Sequence, residues 1–298
     1  MNLSVRLALG FERWRGHVEQ KFLQVENHRI AYLEGGRGET ILMLHGFAGS
    51  SDNWNRLAHF LTRQYHVVAP DLAGWGMSTR LPGASYAIAP QVERVKKFAD
   101  LLRLKRFHLV GNSMGGYIAN VYAARYPAEV RSVGLICPFG AREPRPSELA
   151  RELMTGRNDL VVGSVKDLER LLDFIFVKRP YYPKPVLKYF AQRAVDTREK
   201  TLKIFEEIKA FQPPLDQIFP QIKAPVWILW GERDRVTDVS GAEVYRAALK
   251  GALIEIMPNV GHVPMMERPR ETAKRYLAFL RQEPAPQPET TGAEFHPA

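Results

Sequence analysis

The sequence predicts an α/β protein: a mostly parallel eight-stranded sheet flanked by helices, with a helical segment inserted as a cap. Three observations predict it. Six short runs, "ILMLH" (41–45), "HVVAP" (66–70), "FHLVG" (107–111), "VGLIC" (133–137), "VWILW" (226–230) and "LIEIM" (253–257), are apolar without alternation, as in strands buried on both faces of a parallel sheet. Helical patterns such as "DNWNRLAHFLTRQ", "PQVERVKKFADLLRL", "GYIANVYAARYP" and "ETAKRYLAFLRQ" separate most of them, which implies right-handed crossovers. Between about 141 and 214 the alternation stops, and the chain turns mostly helical, charged and aromatic, with "KRPYYPKPV" in its middle.

Taken in order, residues 1–22 form an amphipathic N-terminal segment. Leu3, Leu7, Phe11, Trp14 and Val18 fall at i, i+4 and i+3 spacing, with Arg6, Arg13 and Arg15 largely off that stripe. This predicts either a helix lying on a membrane surface through residues 1–20 or a helix packed on its own domain. "FLQVENHRIAYLEGG" predicts two strands joined by a turn at Asn27 and His28. The core then comprises 23–140 and 215–281, interrupted by the cap at 141–214. The polar, Pro-rich stretch 282–298 predicts a disordered tail.

Composition narrows the function classes. The 298 residues are 45% hydrophobic and 25% charged, ordinary values for a globular chain. A net charge of +10 suits nucleic acid or an anionic membrane. Zinc-finger spacing, an RNP-type motif and a long basic block are all missing, so no nucleic-acid partner is expected. Cys137 is the single cysteine, which removes internal disulfides and thiolate clusters. No run approaches the ~20 apolar residues of a span, and the start lacks a convincing signal peptide, which predicts a cytoplasmic protein, peripheral to the membrane at most.

The chemistry centres on "GNSMG", the chain's one G-x-S-x-G, placed between a predicted strand and a predicted helix. Such a turn forces Ser113 into a strained backbone conformation. Glycine flanks it because side chains there would strike the adjoining strand and helix. A hydroxyl is a poor nucleophile without a base. The other seven of the eight histidines sit in turns, with a helix or a strand, or near the termini, whereas His262 in "MPNVGHVP" follows the last predicted strand in a glycine-flanked loop. The acid is expected before it: Asp234 in "WGERDRVT", with Asp238 weaker and Glu232 weaker still. The oxyanion donors are the backbone N–H groups of Phe47, in "LHGFAGSSDNW", and of Met114, just after the nucleophile. His45 is expected to be structural. No metal or organic cofactor is required.

With "HGFAGSSDNW", "PDLAGWGMS", "GNSMGG", "GERD" and "GHVPMMERP" in place, the chain resembles the α/β-hydrolase superfamily over nearly its whole length. Ser113 at the elbow argues against dehalogenases and epoxide hydrolases, which carry aspartate there, and Asp71 matches a turn element that is structural in the family. "ILMLHGF", "GNSMGGYIANVYAARYP", "LICPFG" and "GHVPMMERPRETAK" look most like monoacylglycerol lipases and related bacterial lipases and esterases. That resemblance implies a serine esterase acting on a fatty-acid ester of a small alcohol such as glycerol. It also implies an acyl pocket supplied by the cap, with Leu171, Leu172, Phe174, Ile175, Phe176, Tyr181 and Tyr182 as its candidates. The alternatives are a carbon–carbon bond hydrolase of aromatic ring-cleavage products, which often has tryptophan where Val263 stands, and a non-catalytic ligand binder on the same scaffold. A lyase or acyltransferase using the same triad is a third.

Overall fold

A computed structural model describes residues 3–210 and 214–282. The predicted tail lies outside them from residue 283 onward. Among the described residues the strands β1 (Glu19–Val25), β2 (His28–Gly35), β3 (Thr40–Leu44), β4 (His66–Pro70), β5 (Phe107–Asn112), β6 (Val130–Ile136), β7 (Val226–Gly231) and β8 (Leu253–Met257) form one sheet. Its order is β1-β2-β4-β3-β5-β6-β7-β8. β1 pairs antiparallel with β2, and β2 antiparallel with β4, while every pairing from β4 to β8 is parallel. The six apolar runs thus lie on β3 to β8, and every residue of β5 and of β7 is buried.

Helices α1 (Leu3–Arg15), α2 (Asn55–Leu61), α3 (Ile88–Leu101) and α4 (Met114–Arg125) precede the insertion. Within it lie α5 (Glu148–Met154), α6 (Val165–Ile175), α7 (Lys184–Asp196) and α8 (Arg198–Ala210), followed by α9 (Leu215–Ile218), α10 (Gly241–Ala248), α11 (Pro264–Glu267) and α12 (Pro269–Leu280). Local chemistry sets several starts. Ser147 and Ser164 accept the Ala150 and Asp167 amides at 3.1 Å, capping α5 and α6. The prolines of "YYPKPV" keep α7 from continuing α6, since proline belongs in a first turn and not in a helix interior. α4 is buried along eleven of its twelve residues, so its apolar residues face all ways.

Two expectations need correction. His28 does not occupy the hairpin turn. It heads β2, pairs with Val25 across the ladder and is buried, with its ring against Tyr86. Val18 leaves the N-terminal stripe, because α1 stops at Arg15 and Val18 is buried beside β1. The helix instead buries Val5 and leaves Leu3, Leu7, Phe11 and Trp14 exposed. It is held by a bidentate pair from Arg13 to Asp52 (2.7 and 2.8 Å) and by Arg56 to Glu12 at 3.3 Å.

One buried ionic cluster braces the far edge of the sheet. Glu255 of β8 accepts from Trp227 Nε1 at 2.5 Å and from Arg275 Nη1 at 2.7 Å, and Arg275 Nη2 reaches Glu271 at 2.9 Å. Removing one partner of a buried pair strands the other charge. Arg275→Met is therefore expected to lower unfolding free energy by about 3–5 kcal/mol, read from the urea midpoint. A change below about 1 kcal/mol, the worth of an exposed pair, would show that the cluster is effectively solvated.

Candidate active site

Ser113 follows β5 directly and caps α4 with φ 54° and ψ −118°, a left-handed conformation that costs a non-glycine residue energy. The flanking glycines follow from space. A Cβ at Gly111 would lie 2.2 Å from the Gly115 carbonyl oxygen, and one at Gly115 only 2.1 Å from that of Leu44. The elbow therefore presses against both its own helix and β3. It places Ser113 at the N-terminus of α4, where the helix dipole favours developing negative charge.

The residues expected as acid and base follow the last two strands. Asp234 follows β7 and His262 follows β8, and both are buried. His262 Nδ1 donates to Asp234 Oδ2 at 2.8 Å. The carboxylate is held on all sides: Oδ1 accepts the Val236 and Thr237 amides at 2.8 and 3.0 Å, and Oδ2 accepts the Thr237 hydroxyl at 2.8 Å. The rival acids go elsewhere. Asp238 accepts from Arg145 and from the Ser240 amide, and Glu232 accepts the Asn259 amide. Glu143, packed close to the Asp234–Asp238 turn, has its carboxyl pushed up to about 7, chiefly by burial.

Backbone anchors fix His262. Asn112 Nδ2 donates to the His262 carbonyl at 3.1 Å and to that of Ile136 at 3.0 Å, tying the histidine loop to the strand that carries Ser113. The His262 amide donates to the Ile175 carbonyl at 2.8 Å, and Glu267 accepts the Gly261, Val177 and Lys178 amides. The end of α6 is thereby fastened to the loop of His262. Sequence reasoning missed Asn112, Thr237 and Glu267. Only Asn112, inside the motif, carried a signal.

The loop after β3 holds the expected oxyanion donors. His45 is fully buried; its Nε2 accepts the Leu72 amide at 2.9 Å, so Nδ1 carries the proton and donates to the Gly46 carbonyl at 2.7 Å. Burial pushes its pKa down and keeps it neutral. Its position is structural, as is that of Asp71, which accepts the Ser51 and Met77 amides at 2.6 Å. Among the described residues neither the Phe47 nor the Met114 amide has an acceptor. Cys137, Asp234 and His262 place metal-capable atoms within 4.8 Å of one another. Burial pushes the Cys137 thiol well up, however, which disfavours the thiolate a metal needs.

Ser113 and His262 share a cavity of about 910 Å³. Leu171, Leu172, Ile175, Phe176, Tyr181 and Tyr182 line it, and so do Leu7, Phe11 and Glu12 of α1. Phe174 does not. On α6 the cavity-lining side chains Leu168, Leu171, Leu172 and Ile175 form one stripe, and Phe174 sits off its edge, packed with Leu149 and Val236 under the Arg235 guanidinium. Tyr181 is at the rim and is 82% exposed.

Comparison with known proteins gives a consistent result. Residues 39–269 match the alpha/beta hydrolase fold family. The chain is 35% identical to monoacylglycerol lipase abhd6-B of Xenopus laevis over 293 residues, covering 93% of this chain and 86% of that protein. It is 34% identical to Lipase 1 of Psychrobacter immobilis, covering 93% and 88%. A solved structure of a bacterial membrane phospholipase A superimposes with a TM-score of 0.92 at 46% identity, covering 94% of this chain and 91% of that one.

Proposed function

The chain belongs to the α/β-hydrolase family and is a carboxylic ester hydrolase; from that premise we propose that it cleaves fatty-acid esters of a small alcohol, such as monoacylglycerols, through Ser113, His262 and Asp234. His262 Nε2 takes the proton from Ser113 as the hydroxyl oxygen attacks the ester carbonyl. Asp234, bonded to Nδ1, holds the tautomer that leaves Nε2 free and stabilises the imidazolium that forms. The Phe47 and Met114 amides receive the oxyanion; each such donor is worth about 2.7–4 kcal/mol in the transition state. The alcohol leaves with the proton from His262. Water then attacks the acyl-enzyme, giving its proton to His262, and the acid departs as Ser113 is restored. The observation that carries this reading is the 2.8 Å His262–Asp234 bond beside a cavity shared with a serine at φ 54°.

The apolar stripe of α6 supports an acyl pocket. Each CH₂ buried is worth about 0.8 kcal/mol, roughly fourfold. On a panel of nitrophenyl esters kcat/KM is expected to climb with acyl length and then level off when the cavity is full. A flat response from two to twelve carbons would remove the lipid pocket. Turnover of an aromatic ring-cleavage product above that of every ester would favour the carbon–carbon alternative.

The mouth of the cavity supports a membrane-borne substrate. Among the described residues no helix is long and apolar enough to cross a membrane. Yet the exposed row of Leu3, Leu7, Phe11 and Trp14 on α1 runs into the cavity rim through Leu7 and Phe11, with Arg6 and Arg15 exposed beside it. Such a helix lies flat on a surface, with its arginines attracted to anionic lipid. Leu3→Ser with Trp14→Ser is expected to cut flotation with anionic vesicles about tenfold or more. These substitutions spare Arg13 and β1, which deletion of residues 1–20 would damage. Unchanged flotation would discard the surface role of α1.

A further inference from the structure

The cavity has a corner that an ester of glycerol alone does not explain. Arg80 and Arg193 are close enough there for their charges to act on each other, and Lys200 lines the same cavity. Arg80 is in the loop between β4 and α3. Its Nε donates to the Gly74 carbonyl at 2.8 Å, and its guanidinium lies over the Trp75 ring at 5.3 Å. Its Nη1 is buried with no hydrogen-bond acceptor among the described residues. Burial, and to a lesser degree the neighbouring Arg193 charge, push the Arg80 guanidinium down. The two acids that line the cavity are engaged elsewhere, Asp52 with Arg13 and Glu12 with Arg56. Among the described residues no carboxylate lies within ion-pair distance of Arg80, Arg193 or Lys200. A buried donor without a partner and a group of like charges without a counter-charge both cost free energy. An anionic ligand would supply the missing counter-charge, and guanidinium groups suit phosphate and carboxylate oxygens.

The corner is connected to the proposed chemistry. Trp75, beneath the Arg80 guanidinium, packs edge-on against Phe47 with ring centroids 5.0 Å apart. Phe47 is the residue whose amide faces the oxyanion in the esterase reading. Two aromatic rings, Trp75 and Phe47, therefore link the Arg80 guanidinium to the loop that carries the Phe47 amide. We infer that Arg80, Arg193 and Lys200 form an anion subsite that holds the charged oxygens of an acyl amphiphile, either the phosphate of a phosphate-bearing ester or the carboxylate of the released fatty acid. This deepens the esterase reading, on which it rests.

The test measures binding and turnover separately. Binding of decyl phosphate, undecanoate and decanol is followed by tryptophan fluorescence or calorimetry in the wild-type protein, in Arg80→Gln and in Arg193→Gln with Lys200→Gln. The second variant is carried on half-buried and exposed helix positions and so keeps the test decisive if Arg80→Gln does not fold. Wild type is expected to bind decyl phosphate at least about tenfold tighter than decanol, and the variants to erase most of that preference. Turnover compares a decanoyl ester of glycerol phosphate with the same ester of glycerol. A fall of about tenfold in that ratio of kcat/KM in the double variant assigns the corner to the lipid phosphate. An unmoved ratio with a lost preference for undecanoate assigns it to the product acid. Equal affinity of wild type for decyl phosphate and decanol, or a preference that neither variant alters, would overturn the subsite. Should wild type turn over no ester yet still prefer decyl phosphate, the esterase reading fails and the anion subsite stands.

Discussion

Replacing Ser113 with alanine is expected to lower kcat on a short-chain nitrophenyl ester by about 10⁵–10⁶-fold and to abolish labelling by a fluorophosphonate. Removing the nucleophile of such a unit costs about as much as removing the whole unit, with a residue of catalysis of roughly 10³–10⁴ over water left to the oxyanion donors. The loss belongs to chemistry and not to folding. Ser113 adopts a strained φ of 54°, and alanine, which lacks only the hydroxyl, meets the same backbone demand. Thermal unfolding should therefore move little. Activity within tenfold of wild type would defeat the assignment of Ser113 and, with it, the proposed mechanism.

Asp234→Asn is expected to cost about 10⁴-fold in kcat. The reason is the direction of one proton. Asp234 Oδ2 accepts both His262 Nδ1 and the Thr237 hydroxyl, while Oδ1 accepts two backbone amides. The asparagine keeps its oxygen on the amides, where only an acceptor fits, so its NH₂ faces His262. The imidazole must then accept at Nδ1 and carry its proton on Nε2, which leaves no lone pair for the serine. The measurement is kcat across pH on the ester used for Ser113→Ala. A loss below tenfold would take Asp234 out of the catalytic unit. Asp238 and Glu232 are poor substitutes, since each is bonded away from His262.

The legible parts of this protein were those set by short-range sterics and by periodicity. The six apolar runs had nowhere to go but a sheet covered on both faces, and β3 to β8 occupy them within a few residues at each end. The elbow was legible because only glycine tolerates the approach of the Leu44 and Gly115 carbonyls. Where a residue's meaning depended on phase or pairing, the sequence misled. His28 looks like a turn residue from its neighbours, but the register with Val25 starts the strand on it. Phe174 shares its composition with Leu171 and Leu172, yet a small rotation around α6 turns it from the cavity toward Leu149. Val18 fits a helical stripe that ends at Arg15.

Glu267 and Arg80 could not be recognised, and Asn112 only through its motif, for a different reason. Their partners lie far along the chain or across the cap: Asn112 meets His262 across 150 positions, and Arg80 lines the same cavity as Arg193 of α7 and Lys200 of α8. The chain by itself determined the class of fold, the serine on its tight turn and the chain order of Ser113, Asp234 and His262 on which the proposed mechanism draws, because those follow from backbone geometry and local pattern. Only the tertiary structure decided which carboxylate turns to the imidazole, which face of the cap lines the cavity and where uncompensated positive charge collects. Each of these depends on distances between segments that no spacing along the sequence encodes.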